Sequence, residues 1–132
     1  MTYHLQVVTP DGQYFDGQAE RLIDPTINGP VGILARHINY VTALGMGQAK
    51  VVTETGERVA ACIGGMVAVT DGKVKVLSTA FEWAEDIDVP RAEASLARAE
   101  KMLADPNADE QTKQYANARK KRALVRLSIA KK

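Results

Sequence analysis

Four arginines near the end of the chain are spaced so that they could bind one anion together. Arg91 and Arg98 lie seven residues apart, and Arg122 and Arg126 lie four apart, so on helices each pair occupies one face. Two such helices packed antiparallel would bring both pairs to one site, where a polyphosphate suits them because guanidinium forks bind phosphate in a bidentate manner. The alternative is a basic helix end that only complements its own dipole in solvent.

Charge is unevenly distributed along the chain. The 132 residues include 17 Lys and Arg and 16 Asp and Glu, a net charge of +1, which gives no overall field to attract nucleic acid or an acidic membrane. Residues 86–132 have eleven basic and seven acidic residues, whereas residues 1–85 have six and nine. A function that depends on charge must therefore come from local asymmetry, above all from the basic stretch 119–132.

The other residues that could do chemistry favour structural roles. Cys62 is the one cysteine and lies in an apolar run, which excludes an intramolecular disulfide and predicts a small buried hydrophobe. Gly64-Gly65 lacks the Lys-Ser/Thr of a phosphate loop, so we expect it to mark a close approach of two strands. His37 has no second ligand at metal spacing, and no arrangement of a nucleophile and a base is present. We therefore expect no catalytic site and no metal site.

The first part of the chain has the pattern of an all-β domain. All ten glycines lie between Gly12 and Gly72, where short apolar runs alternate with turn dipeptides. Asp71-Gly72, between two valine pairs of period two, is the strongest hairpin signal. We expect an antiparallel sandwich or barrel of roughly eight to ten strands. The expected strands are 3–9, 19–23, 50–53, 58–63, 66–70 and 73–77, with turns at 11–12, 16–17, 28–30, 55–56 and 71–72.

Two helices are expected after this domain. Asp86 and Asp88 precede Pro90, which is typical of a first helical turn, and Asp109 can cap a second helix after the break at residues 105–107. The predicted fold is α+β: an antiparallel β-sandwich over residues 1–85 and a two-helix antiparallel hairpin over residues 86–132. A seam of small residues should hold the helices together only weakly. The expected stripe on the first helix is Ala92, Leu96, Ala99 and Leu103, and the hairpin should bury mostly alanine. The second helix is expected to run from about Asp109 through Tyr115, Ala118, Val125 and Ile129 to the terminal lysines.

Several short stretches spread along the chain are informative when taken together. They are residues 7–12, 32–34, His37, residues 41–44, Gly64-Gly65 and residues 84–88. On these stretches the chain resembles the epsilon subunit of the bacterial rotary F-type ATP synthase. It departs from the family pattern at Pro30, Ala35-Arg36 and Asn39, on a loop that in the family meets the membrane rotor ring.

The resemblance also implies a nucleotide site. Residues 87–92 are similar to the signature with which some epsilon subunits bind ATP. ATP would be a regulatory ligand, with or without Mg²⁺, and no cofactor would be required. The implied ligands, four of which were also selected by spacing, are Glu82, Ile87, Asp88, Arg91, Ala92, Arg98, Arg122 and Arg126.

A non-catalytic role follows from the same resemblance. The sandwich would contact the gamma subunit and the rotor c-ring, the latter near His37, and couple proton-driven rotation to ATP synthesis. The mobile helices would inhibit ATP hydrolysis by presenting Arg119, Arg122 and Arg126 to a beta subunit, and ATP would stabilise the folded hairpin. The chain would work as a peripheral subunit on the cytoplasmic face of the bacterial plasma membrane, with neither membrane insertion nor nucleic acid.

Two alternatives remain at this point. The same subunit could lack a working ATP site, in which case the arginines would serve a partner protein alone. Judged without the family, the chain could also be a free-standing β domain that binds a small ligand and has a helical tail. The absence of a catalytic constellation disfavours a free-standing hydrolase.

Overall fold

The computed structural model describes residues 2–34 and 39–130 of the chain. It divides into two compact units, Met1–Trp83 and Ala84–Lys132. The first unit consists of strands and the second of helices, so the predicted α+β class, a β-sandwich followed by two helices, is confirmed. His37, Ala35, Arg36 and the last two lysines lie outside the described residues.

Seven strands form the first unit in the described part of the chain. Their order in the sheet is β2-β1-β7-β6-β5-β3-β4, and every neighbouring pair is antiparallel except β1 and β7, which are parallel. The bounds are β1 Tyr3–Thr9, β2 Gly12–Ala19, β3 Arg21–Thr26, β4 Gly29–Leu34, β5 Tyr40–Thr53, β6 Gly56–Thr70 and β7 Lys73–Trp83.

The expected eight to ten short strands are therefore wrong for the described residues. Two predicted strands, 58–63 and 66–70, are parts of the single long strand β6, which bends at Gly64-Gly65 without ending. Asp16-Gly17 is not a turn, because Gly17 lies within β2 and pairs with Leu5. The real turn between β2 and β3 follows Ala19, so the predicted strand 19–23 spans two different strands.

Three sequence signals are confirmed in the sheet. Asp71 and Gly72 have φ values of 51° and 77° and join β6 to β7 as a tight hairpin. Cys62 is fully buried, and burial raises the pKa of its thiol to about 12. A Cβ atom on Gly65 would lie 2.1 Å from the carbonyl oxygen of Leu77 and 2.7 Å from the Cα of Ser78, so β6 and β7 approach each other closely here.

The core of this unit lies between the inward faces of the strands. Alternation buries every second residue of β1 and, with a shift of one position after Ser78, of β7. Phe81 and Trp83 pack edge to face with ring centroids 5.1 Å apart. The largest fully buried side chains are Phe81, Leu5, Leu22, Ile33, Val7, Val51, Val67, Val76, Asp24 and Cys62. One charged residue, Asp24, is among them.

The helices begin where the sequence predicts. Helix α1 spans Val89–Ala104 with Asp88 as its N-cap, and α2 spans Glu110–Ile129 with Asp109 as its N-cap. The Asp109 carboxylate accepts a hydrogen bond from the Thr112 amide at 2.7 Å. Hydrogen bonding with the Thr112 side chain, followed by this amide contact, lowers the pKa of Asp109. Each cap satisfies an amide that the first turn would otherwise leave unpaired. A 3-10 turn, Ala84–Asp86, precedes α1.

The helices bury mostly alanine, as predicted. The buried residues are Ala92 and Ala99 of α1 and Ala116 and Ala123 of α2, whereas Leu96 and Leu103 of the predicted stripe are half-buried. Tyr115 is 51% exposed. Among the described helices, neither has both the length and the apolar character that crossing a bilayer requires.

Candidate functional site

The N-terminus of α1 contains four of the predicted nucleotide ligands. The Asp88 carboxylate accepts a hydrogen bond from the Arg91 amide at 3.1 Å, and the Asp88 carbonyl accepts one from the Ala92 amide at 3.0 Å. Ile87 and Ala92 are buried, whereas the Arg91 side chain is exposed. This arrangement gives the signature residues a local structural role: Asp88 caps the helix, Ile87 and Ala92 anchor it, and the Arg91 guanidinium extends into solvent.

Three arginines of the two helices have guanidinium groups that are available for an anion. In the described part of the chain, the guanidinium groups of Arg91, Arg98 and Arg122 make no hydrogen bond or ion pair with another residue. Arg91 and Arg98 are exposed, whereas Arg122 is half-buried. Arg126 is also half-buried and is engaged in an interaction. A guanidinium group without a protein partner is a suitable receptor for phosphate oxygens.

One hydrogen bond fixes how the two helices are aligned. Arg119 Nε donates to Ser95 Oγ at 2.9 Å across the hairpin, and Arg119 NH1 donates to Tyr115 OH at 3.0 Å. Because consecutive helical residues rise about 1.5 Å each, this alignment places Arg91 near the level of Arg122 in antiparallel helices, while Arg98 lies roughly 10 Å further along. By this alignment Arg91 is close in level to Arg122, and Arg98 lies further along the axis of α1.

Arg119 has a second role that sequence reasoning did not identify. The family resemblance implies that Arg119 contacts a beta subunit. In this structure its guanidinium instead donates hydrogen bonds to Ser95 of α1 and Tyr115 of α2. The Ser95 contact is a polar link between two helices whose buried residues are all alanines. Such a link is weak enough to break, since a typical hydrogen bond contributes about 1 kcal/mol net.

Glu82 belongs to the sheet unit rather than to the helices. It lies near the end of β7, paired in register with Ala61 and flanked by the buried Phe81 and Trp83. Because side chains alternate along a strand, its carboxylate points away from the core that these two rings fill. The side chain is partly buried and engaged in an interaction.

The sheet unit also presents an apolar row that the sequence analysis missed. Register places Ala43, Met66, Leu77 and Val8 side by side on one face of four adjacent strands, and we call these four residues the apolar row. Met66 and Leu77 are each 42% exposed. Ile27, which is 68% exposed, donates its amide hydrogen to the Ala43 carbonyl at one end. At the other end a groove is lined by residues 8–10 and 77–79.

The remaining candidates for chemistry do not assemble into a site. Within residues 2–34 and 39–130, no group of three His, Cys, Asp or Glu side chains could hold a metal ion. His4 is bonded to Asp16 across β1 and β2, as a surface pair. The arrangement offers two things: a cationic helical surface that suits phosphate or acidic groups, and an apolar sheet face that suits a protein.

Comparisons with known proteins agree with this division. Residues 2–84 match the family model of the ATP synthase delta/epsilon chain β-sandwich domain, and residues 85–131 match that of its long α-helix domain. The ATP synthase epsilon chain of Ruminococcus albus is 41% identical over 133 residues, which cover 98% of this chain and 97% of the relative. That of Caldanaerobacter subterraneus is 39% identical over 132 residues, with coverages of 99% and 95%.

Solved structures share the fold. A chain in the OSCP/F1/c-ring assembly of the Euglena gracilis mitochondrial ATP synthase aligns with a TM-score of 0.80 and 22% identity, covering 94% of this chain and 78% of that one. A chain in the central stalk and c-ring of the Tetrahymena thermophila mitochondrial enzyme aligns with a TM-score of 0.63 and 19% identity, covering 97% and 96%.

Proposed function

The chain belongs to the ATP synthase delta/epsilon family, as an epsilon subunit of the central stalk, and we propose that it couples proton-driven rotation to ATP synthesis and restrains ATP hydrolysis through its helices. An epsilon subunit is a structural, non-catalytic part of this membrane-associated complex. We infer that it works peripherally at the cytoplasmic face of the membrane. The Ruminococcus and Caldanaerobacter relatives are bacterial epsilon chains, which supports that location.

The apolar row suggests where this chain binds another subunit of the complex. Large exposed apolar side chains that form one contiguous surface are typical of protein interfaces. Met66 pairs directly with both Ala43 and Leu77, so the surface is continuous across β5, β6 and β7. We propose that the gamma subunit covers this row. We also propose that His37, which lies outside the described residues, contacts the rotor c-ring.

A charge placed in the apolar row should weaken assembly. Met66→Glu is expected to reduce the affinity for an ATP synthase complex lacking its epsilon subunit by about tenfold or more, because a buried, unpaired carboxylate is costly. Gln48→Glu is the matched control, since it adds the same charge at an exposed position of β5 outside the row. Co-sedimentation with the depleted complex measures both. Unchanged binding by Met66→Glu, with circular dichroism showing a folded chain, would exclude the row as the docking surface.

We further propose that the helices exchange between a folded hairpin and an extended form. The buried residues of the two helices are four alanines, and burying a methyl or methylene group contributes about 0.8 kcal/mol, so these alanines together stabilise the folded hairpin by only about 3 kcal/mol. Ordering even a few residues costs a similar amount. In the extended form, Arg119 would leave Ser95 and, with Arg122 and Arg126, contact an acidic segment of a beta subunit and block hydrolysis.

ATP would act on this equilibrium as a ligand of the folded hairpin. We propose that its phosphates lie among Arg91, Arg98, Arg122 and Arg126, while Asp88 orients the base or the arginines. The guanidinium groups of Arg91, Arg98 and Arg122, which have no partner among the described residues, support this proposal, and so does the capped turn that presents Arg91. If the chain has no working ATP site, the same arginines serve the beta subunit alone.

A further inference from the structure

Asp24 is an acidic residue in the core of the sheet unit. It occupies the middle inward position of β3, between the buried residues Leu22 and Thr26, and is 0% exposed. Neither of its carboxylate oxygens has a hydrogen-bond partner among the described residues. A carboxylate buried in this way is costly, because burial removes water without replacing its hydrogen bonds, whereas a protonated carboxyl group is neutral and much less costly to bury.

The groups that face Asp24 do not compensate a negative charge. Tyr3 of β1 donates its hydroxyl hydrogen to the Ile33 carbonyl at 2.7 Å, so this proton is not available to Asp24. Tyr40 of β5 and Cys62 of β6 are the other titratable groups near it, and neither is a cation. On β4 the residue paired with Asp24 is the apolar Val31.

The pKa values of Asp24 and its neighbours are shifted in the direction that this burial requires. Burial raises the pKa of Asp24 from 3.8 to about 7. Burial, followed by the Asp24 charge, raises the pKa values of Tyr3, Tyr40 and Cys62. Since the Asp24 pKa is higher in the folded chain, the folded state binds more protons between pH 3.8 and 7. The stability contributed by the proton on Asp24 is therefore fully present below pH 3.8 and is lost as the pH rises through 7.

The strand that contains Asp24 is irregularly paired at this position. Ile23 pairs with Lys50 but Thr26 pairs with Leu44, so the register between β3 and β5 breaks around Asp24. The same interval of β5 contains Gly47, where a Cβ atom would lie 3.0 Å from the Pro25 Cβ. In the sheet order, β5 is the neighbour that joins the β3–β4 hairpin to the other strands. Loss of pairing here would release the hairpin before the rest of the sheet.

We propose that Asp24 is a proton-binding site that makes the packing of the β3–β4 hairpin on the core depend on pH. With the proton bound, the hairpin is closed on the core. When the proton is released as the pH rises through neutrality, the hairpin opens at the irregular β3–β5 pairing and hydrates the carboxylate. This property is independent of the subunit's role in the complex.

Comparing Asp24→Asn with the parent chain tests this proposal. Urea unfolding measures the unfolding equilibrium constant of each chain at about pH 5 and about pH 8. The ratio of the parent's constant to that of Asp24→Asn should rise about a hundredfold between these pH values, because asparagine does not titrate. Asp11→Asn is the matched control, because Asp11 is an exposed aspartate on the β1–β2 turn. The ratio of the parent's constant to that of Asp11→Asn should change by less than about twofold over the same pH range. A ratio for Asp24→Asn that stays constant with pH would overturn the proposal.

Two measurements on the parent chain complete the test and do not require the variant to fold. The carboxyl ¹³C resonance of Asp24 should titrate with a midpoint near pH 7, and a midpoint below pH 5 would overturn the proposal. Amide hydrogen exchange, corrected for its intrinsic pH dependence, should lose protection in β3 as the pH rises and retain it in β7. Equal loss in both strands would contradict local opening of the hairpin.

Discussion

Replacing Arg98 or Arg126 with alanine should each raise the Kd of the isolated subunit for ATP about tenfold or more. Each substitution removes a charge-assisted hydrogen bond worth roughly 1.5–3 kcal/mol, and about 1.4 kcal/mol corresponds to a tenfold change. Isothermal titration calorimetry of the full chain measures the Kd directly. Lys101→Ala is the matched control, because it removes the same charge from an exposed position of α1 less than a turn from Arg98.

The outcome separates two interpretations of the arginines. If Arg126→Ala weakens binding and Arg98→Ala does not, the phosphates lie at the level of Arg91 and Arg122, and Arg98, roughly 10 Å further along α1, is outside the site. If neither substitution changes the Kd for ATP more than Lys101→Ala does, or if the parent releases no heat at millimolar ATP, the proposal of a nucleotide site is wrong. The arginines would then serve the acidic beta-subunit segment alone.

An ATP site of this kind would be sufficient to control the helices. At a hundred times its Kd, a ligand that binds only the folded form stabilises it by about 2.7 kcal/mol. That is comparable to the contribution of the four-alanine seam, so occupancy of the site can reverse the balance between folded and extended hairpins. A tightly packed seam would have made the same ligand ineffective.

Gly65→Ala should destabilise the sheet unit by about 3 kcal/mol or more. The added Cβ would lie 2.1 Å from the Leu77 carbonyl oxygen, which is backbone in the neighbouring strand and cannot rotate away. The substitution also places a side chain at φ +116°, a conformation that costs about 1–3 kcal/mol without any clash. Urea denaturation followed by tryptophan fluorescence measures the loss, because Trp83 lies in the same core.

Gly12→Ala isolates the contribution of the close approach. Gly12 has a similar backbone angle, φ +136°, but no atom lies within 4 Å of a Cβ built there. It should therefore suffer the conformational cost and no steric cost. Equal destabilisation by the two substitutions would show that the separation of β6 and β7 at this point adjusts freely.

Local signals predicted the parts of the fold that depend on neighbouring residues. Asp88 and Asp109 cap their helices because a short acidic side chain can reach an amide three residues on, and this depends on sequence spacing alone. Asp71-Gly72 forms its hairpin because both residues tolerate positive φ. The bounds of β1, Tyr3–Thr9, follow from a short, largely alternating apolar run that ends before Pro10.

The pairing of strands that are distant in the sequence could not be predicted from local signals. The parallel contact of β1 with β7 joins residues about seventy positions apart, and nothing in either strand specifies its partner or direction. Gly64-Gly65 divides the hydrophobic pattern of β6 in the sequence, yet the strand continues because β5 and β7 pair with it on both sides of the bend. Tertiary pairing prevails over a local break of this kind.

The candidate sites also differ in whether local sequence could reveal them. Spacing and resemblance selected the arginines, since residues four or seven apart share a helix face whatever the tertiary structure. The apolar row was missed because its residues come from four strands and become neighbours only through register. Asp24 was missed because an aspartate between isoleucine and proline resembles a turn residue until its inward position is known.

The ATP hydrolysis rate of the complex is the most direct measurement of the proposed role. Complexes lacking their epsilon subunit would be reconstituted with the full chain or with a chain truncated after Asp86, which keeps the sheet unit and removes α1 and α2. Both chains should bind to the same extent, as judged by co-sedimentation, and the truncated chain should allow severalfold faster hydrolysis in the absence of added inhibitors. Equal rates at equal occupancy would contradict the proposal that the helices restrain hydrolysis.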